Sequence, residues 1–167
     1  MPLSLFLFDD QYPKRKHFKK RVAVRAFIEV RKGVYLLHEI KRDDAFGDYD
    51  YFELPGGKRE IGESSLSALQ REVMEETGYA FSESKYLGFV RDFYNLLGWE
   101  NITQYFVVSG VTKIKEPHFV SQGDHLIQRT LSASKDDAIV LMTSLPSKGI
   151  PLLVKRRELP FWRSLEK

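Results

Sequence analysis

The stretch GGKREIGESSLSALQREVMEETGY, Gly56 to Tyr79, holds the local signals from which the fold is read. Its second half places Glu72, Glu75 and Glu76 at helical spacing. At about 100° per residue these three carboxylates share an arc of about 100°. Like charges at i,i+3 and i,i+4 cost roughly 0.2–0.5 kcal/mol per pair, so the turn is unfavourable unless something answers the charge. A solvated acidic face is one account, and a cluster built to hold a divalent cation is the other. Ser64 or Ser65 is placed to cap the helix, Leu66, Leu69 and Val73 form its expected buried stripe, and Gly78 suits its end. Before it, Pro55 ends the short segment FELP, and Gly56-Gly57 permit backbone angles closed to other residues.

Working outward, VAVRAFIEV (residues 22–30) and VYLLHEI (34–40) read as two strands of a hairpin turned at Lys32-Gly33. The polar stretch KRDDAFGDYDY reads as a loop. Beyond the helix, KYLGFVRDFY (85–94) and ITQYFVVSGV (102–111) read as strands, HFVSQGDHLIQRTL as a hairpin around Gln122-Gly123-Asp124, and AIVLM (138–142) as a buried strand. The C-terminal segment from Leu145 reads as helix interrupted at Pro151 and Pro160. Hairpins mixed with helices predict an α/β or α+β domain with a mixed sheet.

The chain has 167 residues, 43% hydrophobic and 29% charged, which suits one globular domain, 1–167. Its early apolar run LSLFLF (3–8) is too short to span a bilayer and lacks the flanks of a secretory signal. There are no cysteines, which excludes disulfides and thiolate metal sites; a soluble, cytoplasmic protein is the expectation. The net charge is +3, and KRKHFKKR (Lys14 to Arg21) concentrates six basic residues in what reads as an N-terminal extension, 1–20. Such a run favours anionic partners, yet no nucleic-acid-binding signature accompanies it, so nucleic acid is not expected as a partner.

From Gly57, five residues lead to Glu63, seven more to Arg71-Glu72, and Val73, Glu75, Glu76 and Gly78 complete the series. This spacing resembles the Nudix box, which runs glycine, five residues, glutamate, seven residues, Arg-Glu, an aliphatic, any residue, Glu-Glu, any residue, glycine, an aliphatic. Only the last position departs, where Tyr79 stands for the aliphatic residue at a position that packs rather than reacts. The match covers 23 residues, Gly57 to Tyr79.

The resemblance implies an α/β/α sandwich around a mixed sheet and a Mg2+- or Mn2+-dependent hydrolase. The substrate class it implies is a nucleoside diphosphate linked to another group, such as ADP-ribose, a nucleotide sugar or a dinucleotide. A nucleoside triphosphate pyrophosphohydrolase and a non-catalytic nucleotide sensor are the alternatives. Carried over by position, Glu75 and Glu76 bind metal, the Gly56 carbonyl is a ligand, and Glu72 binds metal or deprotonates the attacking water. Arg71 holds the glutamates in place through its forked guanidinium, aided by Glu63. The chemistry is consistent, because hard cations prefer oxygen ligands and neutralise the phosphate charge that repels an attacking water.

Family members often draw one further acid from outside the box. Glu100, Glu116 and Asp124 are the candidates here, Glu116 and Asp124 preferred because they follow the strand expected beside the helix, although each also reads as a solvated loop acid. Phe46, Tyr49, Tyr51, Phe93, Tyr94 and Trp99 offer stacking surface for a base, and Arg25, Arg42 and Arg91 offer phosphate contacts, without a spacing that selects among them. The four histidines, His17, His38, His118 and His125, lack metal-ligand spacing and read as structural. Family members frequently form homodimers, for which LSLFLF or the C-terminal PFW could serve.

Overall fold

A computed structural model describes residues 1–166. Its elements are β1 (Leu3–Leu7), β2 (Lys19–Arg31), β3 (Val34–Asp44), β4 (Gly47–Glu53), β5 (Gly56–Lys58), α1 (Ser65–Thr77), β6 (Tyr79–Ala80), β7 (Glu83–Tyr94), β8 (Trp99–Ser109), β9 (Thr112–Lys113), β10 (Ile127–Ser134), α2 (Lys135–Thr143) and α3 (Gly149–Ser164). The main sheet runs β1-β7-β8-β2-β3-β10, with β4 added to β3 and β5 to β2. It is mixed, because β1 with β7 and β2 with β8 are parallel while the other pairs are antiparallel.

The long strand β2 organises both faces. Side chains alternate across a strand, and here Val24, Ala26 and Ile28 pack with Ala68, Leu69 and Val73 of α1. The intervening Phe27 packs on the other face with Phe161 and Trp162 of α3. The result is helix, sheet, helix, as expected. β2 also changes partners along its length: Ala23 to Arg25 pair with β5, whereas Glu29 and Arg31 pair with β3. The sheet therefore forks beside the glycine turn.

The expected hairpin of β2 and β3 is present, and α1 begins and ends as its sequence predicts. The Ser64 hydroxyl accepts the Ser67 N–H at 3.0 Å, and Gly78 closes the helix at φ +73° with its N–H on the Met74 carbonyl. A side chain at Gly78 would also strike the Lys115 carbonyl, since an added Cβ would lie 1.8 Å from that oxygen. Leu66 departs from expectation: it is 46% exposed, and Ala68 takes its place in the buried stripe.

Four other segments differ from the sequence reading. KRDDAFGDYDY is not a loop; β3 continues to Asp44, turns at Ala45-Phe46 and returns as β4. AIVLM is helical, within α2, because Ser134 caps it through the Asp137 N–H at 3.1 Å and Asp136 and Asp137 favour its positive end. The segment around Gln122-Gly123-Asp124 forms a short 3-10 turn (Asp124–Leu126), and the strand after it pairs with β3 rather than with its own neighbour. The C-terminal segment is one helix. Pro151 falls in its first turn, where an N–H has no partner inside the helix, and the bond lost at Pro160 is outweighed by burial of Leu159, Phe161 and Trp162.

The N-terminal residues also join the fold, with β1 on the edge of β7 and Lys19 and Lys20 inside β2. Arg15 is tied down by its bond to the Asn95 carbonyl at 2.6 Å. Phe161 and Trp162 are fully buried, which removes PFW from any contact between copies, whereas Phe6 and Phe8 on or beside β1 are exposed. Among the described residues no helix is long and apolar enough to cross a membrane.

Trp162 meets Phe27 edge-on at 4.7 Å and Tyr35 at 5.7 Å. Truncating so large a buried ring leaves a cavity, so Trp162→Ala is expected to lower unfolding stability by about 3–5 kcal/mol in urea denaturation. Trp162→Phe should lose clearly less, because the indole nitrogen has no hydrogen-bond partner to forfeit; equal losses would show that a phenyl ring cannot fill the site.

Candidate active site

The inward arc of α1 is half apolar and half acidic. Ala68, Leu69 and Val73 are buried as an ordinary core stripe, but Glu72 and Glu76 are buried with them, at 6% and 3% exposure. Burying a carboxylate without a partner is costly, so the surroundings of each must be accounted for. Glu76 accepts the Gly56 N–H at 2.8 Å and lies 2.9 Å from His38 Nε2, while His38 Nδ1 is 2.8 Å from the Thr130 hydroxyl. Burial holds His38 down to about 4, so its ring is neutral. Each ring nitrogen therefore meets one partner, Glu76 at Nε2 and Thr130 at Nδ1. Burial likewise drives Glu76 well above the usual carboxylate range, against the pull of Arg25 and the Gly56 amide.

Glu72 is also pushed up, to about 7, by burial and by Glu76 beside it, with Arg71 opposing. Arg71 forms the hub of a second network. Its guanidinium grips Glu63 through two bonds of 2.8 and 3.0 Å and reaches Glu72 at 2.8 Å, Glu75 at 3.3 Å and the Lys58 carbonyl at 3.0 Å. That geometry orients Glu63, Glu72 and Glu75 about one planar group, in the manner suited to carboxylates. The contact with Glu75 is thus one of several rather than a lone i,i+4 pair.

The third acid comes from far along the chain. One carboxylate oxygen each from Glu72, Glu76 and Asp124 lie within 4.8 Å of one another. Asp124 is 3% exposed, so it is not a solvated loop acid. Its carboxylate accepts the Val120 and Ser121 N–H groups at 3.0 Å and the Ser121 hydroxyl at 2.6 Å. Burial alone would raise its pKa, yet these bonds, led by Ser121, take it below the usual range. Three converging oxygens in a buried pocket form a donor set of the kind hard divalent cations take.

The remaining expected residues fall elsewhere. Glu75 stays outside the converging trio, on the Arg71 side of the helix. Gly56 brings its peptide to Glu76 at φ +143°, where a Cβ would lie 2.1 Å from the Val24 carbonyl. Gly57 is equally constrained, since its Cβ would meet the Glu72 carboxylate at 2.6 Å. Glu100 pairs with Arg91 at 2.8 Å and Glu116 is exposed, so neither joins the trio. Of the aromatic candidates, Tyr51 and Tyr94 are buried in the core, Phe93 stacks with Phe8, Phe46 stacks on Tyr94, and Trp99 lies under Lys19. Arg25 donates to the Leu54 carbonyl at 2.7 Å and faces Glu53 at 3.5 Å. His38 was absent from the sequence-derived candidates. Its one signal was register, because it shares the face of Leu36 on β3, the face that packs on α1.

Comparison with known proteins shows the family. The family model for the NUDIX domain matches residues 19–129. The chain belongs to the Nudix hydrolase family and is a pyrophosphohydrolase of that type. Among solved structures, it resembles a NUDIX hydrolase from Nitrosomonas europaea, with TM-score 0.61 and 28% identity over 75% of this chain and 79% of that one. It shares the fold of the E. coli ORF135 protein (TM-score 0.62, 24% identity, 88% and 89% covered). It also shares the fold of a MutT NUDIX hydrolase from Burkholderia pseudomallei (TM-score 0.60, 24% identity, 83% and 98% covered). No curated protein matches the chain. Nudix hydrolases generally use divalent metals, and the buried acids supply suitable oxygens.

The raised Glu72 gives a pH signature. Its ordinary value is 4.5 and its folded value about 7, so the folded state holds the proton more tightly. The stability this contributes is full below about 4.5 and is lost as pH rises through about 7. In chelator, the melting temperature of wild type should therefore fall relative to Glu72→Gln across that window. Adding a divalent cation should restore it above pH 7. Parallel melting curves for the two proteins would contradict the placement of Glu72 as a buried carboxyl.

Proposed function

We propose that this hydrolase holds Mg2+ or Mn2+ through Glu72, Glu76 and Asp124, with Glu75 and the Gly56 carbonyl completing the site, and cleaves the anhydride of a nucleoside diphosphate linked to another group. The observation that carries the reading is the convergence of three buried carboxylates within 4.8 Å. When bound, the cation offsets phosphate charge and acidifies water.

The chain's own residues do the rest. Arg71 clamps Glu63 and orients Glu72 and Glu75, so the acids are set before substrate arrives. The Thr130–His38–Glu76 chain fixes the deepest carboxylate. Glu72, held by Arg71 beside the other acids, is the group placed to take a proton from water. The site stands where β5 lies on β2, with side chains of β2 on both faces of the sheet.

A panel of nucleoside triphosphates, dinucleotides, ADP-ribose, nucleotide sugars and capped RNA, assayed for phosphate products with magnesium, tests the substrate class. The linked diphosphates should be cleaved best; preference for free triphosphates would move the chain to the other class. Glu76→Gln should reduce the best rate by at least about 10²-fold, in line with the usual worth of a positioned group. Undiminished turnover in excess chelator would remove the metal from the proposal.

A further inference from the structure

The registers of β1, β7, β8 and β2 align side chains in rows across one face of the sheet. Phe6 lies beside Arg91, followed by Ile102 and Val22. In the next row Phe8 stacks on Phe93, followed by Glu100 and Lys20. The row on the other side holds Phe89 and Gln104 and ends at Val24, beneath α1. The rows thus share the α1 side of the sheet, but α1 packs chiefly on β2 and β5. The opposite side is filled: Leu3, Leu5 and Leu7 pack into the core, and Arg21 and Arg25 line a narrow cleft under α3.

The uncovered face is aromatic. Phe6 and Phe8 are 60% and 76% exposed. Phe8 lies parallel to Phe93 at 5.8 Å, Phe18 meets Phe93 edge-on at 5.0 Å, and Phe6 meets Phe89 edge-on at 5.8 Å. A basic margin borders these rings. Lys14, Lys16, Lys19 and Lys20 are exposed, and among the described residues none has a carboxylate within ion-pair distance. Lys19 lies instead over the Trp99 ring at 5.3 Å. The nearby acids are engaged: Glu100 pairs with Arg91, Asp10 with Arg156, and Asp9 accepts the Gln11 and Asn95 N–H groups.

Bases stack on aromatic faces whatever their identity, and lysines beside the rings follow the phosphates. A second copy docked on this face would add its own basic run to the contact, whereas a polyanion answers the charge. We propose that this face binds single-stranded nucleic acid, with Phe6, Phe8 and Phe93 stacking bases and Lys14, Lys16 and Lys20 contacting phosphates. The surface lies beyond the hydrolase reading, because it takes a polymer and includes none of the three converging carboxylates. β1 and Lys14 to Phe18 precede residue 19, where the match to the family begins. No local motif announces the surface, since register across four strands assembles it.

The probes are labelled oligouridylate and oligothymidylate of about 12 nucleotides, within the usual span of such surfaces. Each is titrated with the full-length protein in excess chelator, followed by fluorescence anisotropy. Wild type should bind at least one of them saturably, the tighter identifying the natural strand, and should bind it better than its duplex with the complementary strand. Phe8→Ala should weaken binding at least about fivefold, the worth of one stacked base, while melting with wild type because the ring is mostly solvated. Lys14→Gln, Lys16→Gln and Lys20→Gln together should lower affinity and flatten its dependence on salt. Lys32→Gln, in the turn at the far end of β2, should leave binding unchanged. No binding by wild type, equal binding by Phe8→Ala, or preference for the duplex overturns the proposal. Concentration-dependent dimerisation that Phe8→Ala abolishes, without oligonucleotide binding, assigns the face to a second copy and also overturns it.

Discussion

The contact from the Gly56 N–H to Glu76 is the constraint on which the rest of the site depends. It ties the glycine turn to the helix at 2.8 Å, and it forms only because β5 lies tightly on β2. That closeness admits no side chain at Gly56, whose φ of +143° is also one that glycine alone adopts readily. His38 holds the same carboxylate oxygen from the opposite strand at 2.9 Å. Glu76 is thus fixed from two sides before any cation or substrate is present. Its burial beside Glu72 is an electrostatic burden of the kind a bound cation would relieve, and one that an apolar helix face would never have incurred.

How much of this was legible follows from distance along the chain. The box helix, its Ser64 cap and Gly78 terminus were readable because their partners lie within a few residues. The Glu63–Arg71–Glu72 contacts were likewise local, needing only helical spacing and the resemblance to a known box. Asp124 was one of three candidates, and nothing in its neighbourhood distinguished it. Its selection depends on the Val120–Ser121 backbone turning to donate to it, which is a property of the folded loop. His38 was invisible for the same reason, since register across three elements brings it to Glu76.

The misread elements share a different cause. AIVLM has an apolar run that suits either a strand or a buried helix, and the deciding information lay upstream in the Ser134 cap and two aspartates. KRDDAFGDYDY is polar enough for a loop, yet pairing with β3 supplies partners for its backbone and Tyr51 anchors it in the core. In both cases tertiary pairing and capping overrode composition. The interruption expected at Pro151 and Pro160 failed because one proline sits where no helical bond is lost and the other is flanked by buried rings.

The alternation of β2 has a consequence for how such a protein changes over time. Val24 and Ala26 seat the acidic helix, while Arg21, Ala23 and Arg25 line the cleft under α3. Positions one residue apart thus belong to separate environments divided by the thickness of a sheet. Substitutions at the odd positions remodel the cleft while leaving the bed of the carboxylate helix intact. The fold therefore lets the cleft under α3 change while the bed of the carboxylate helix stays under constraint, with both written into the same thirteen residues of one strand.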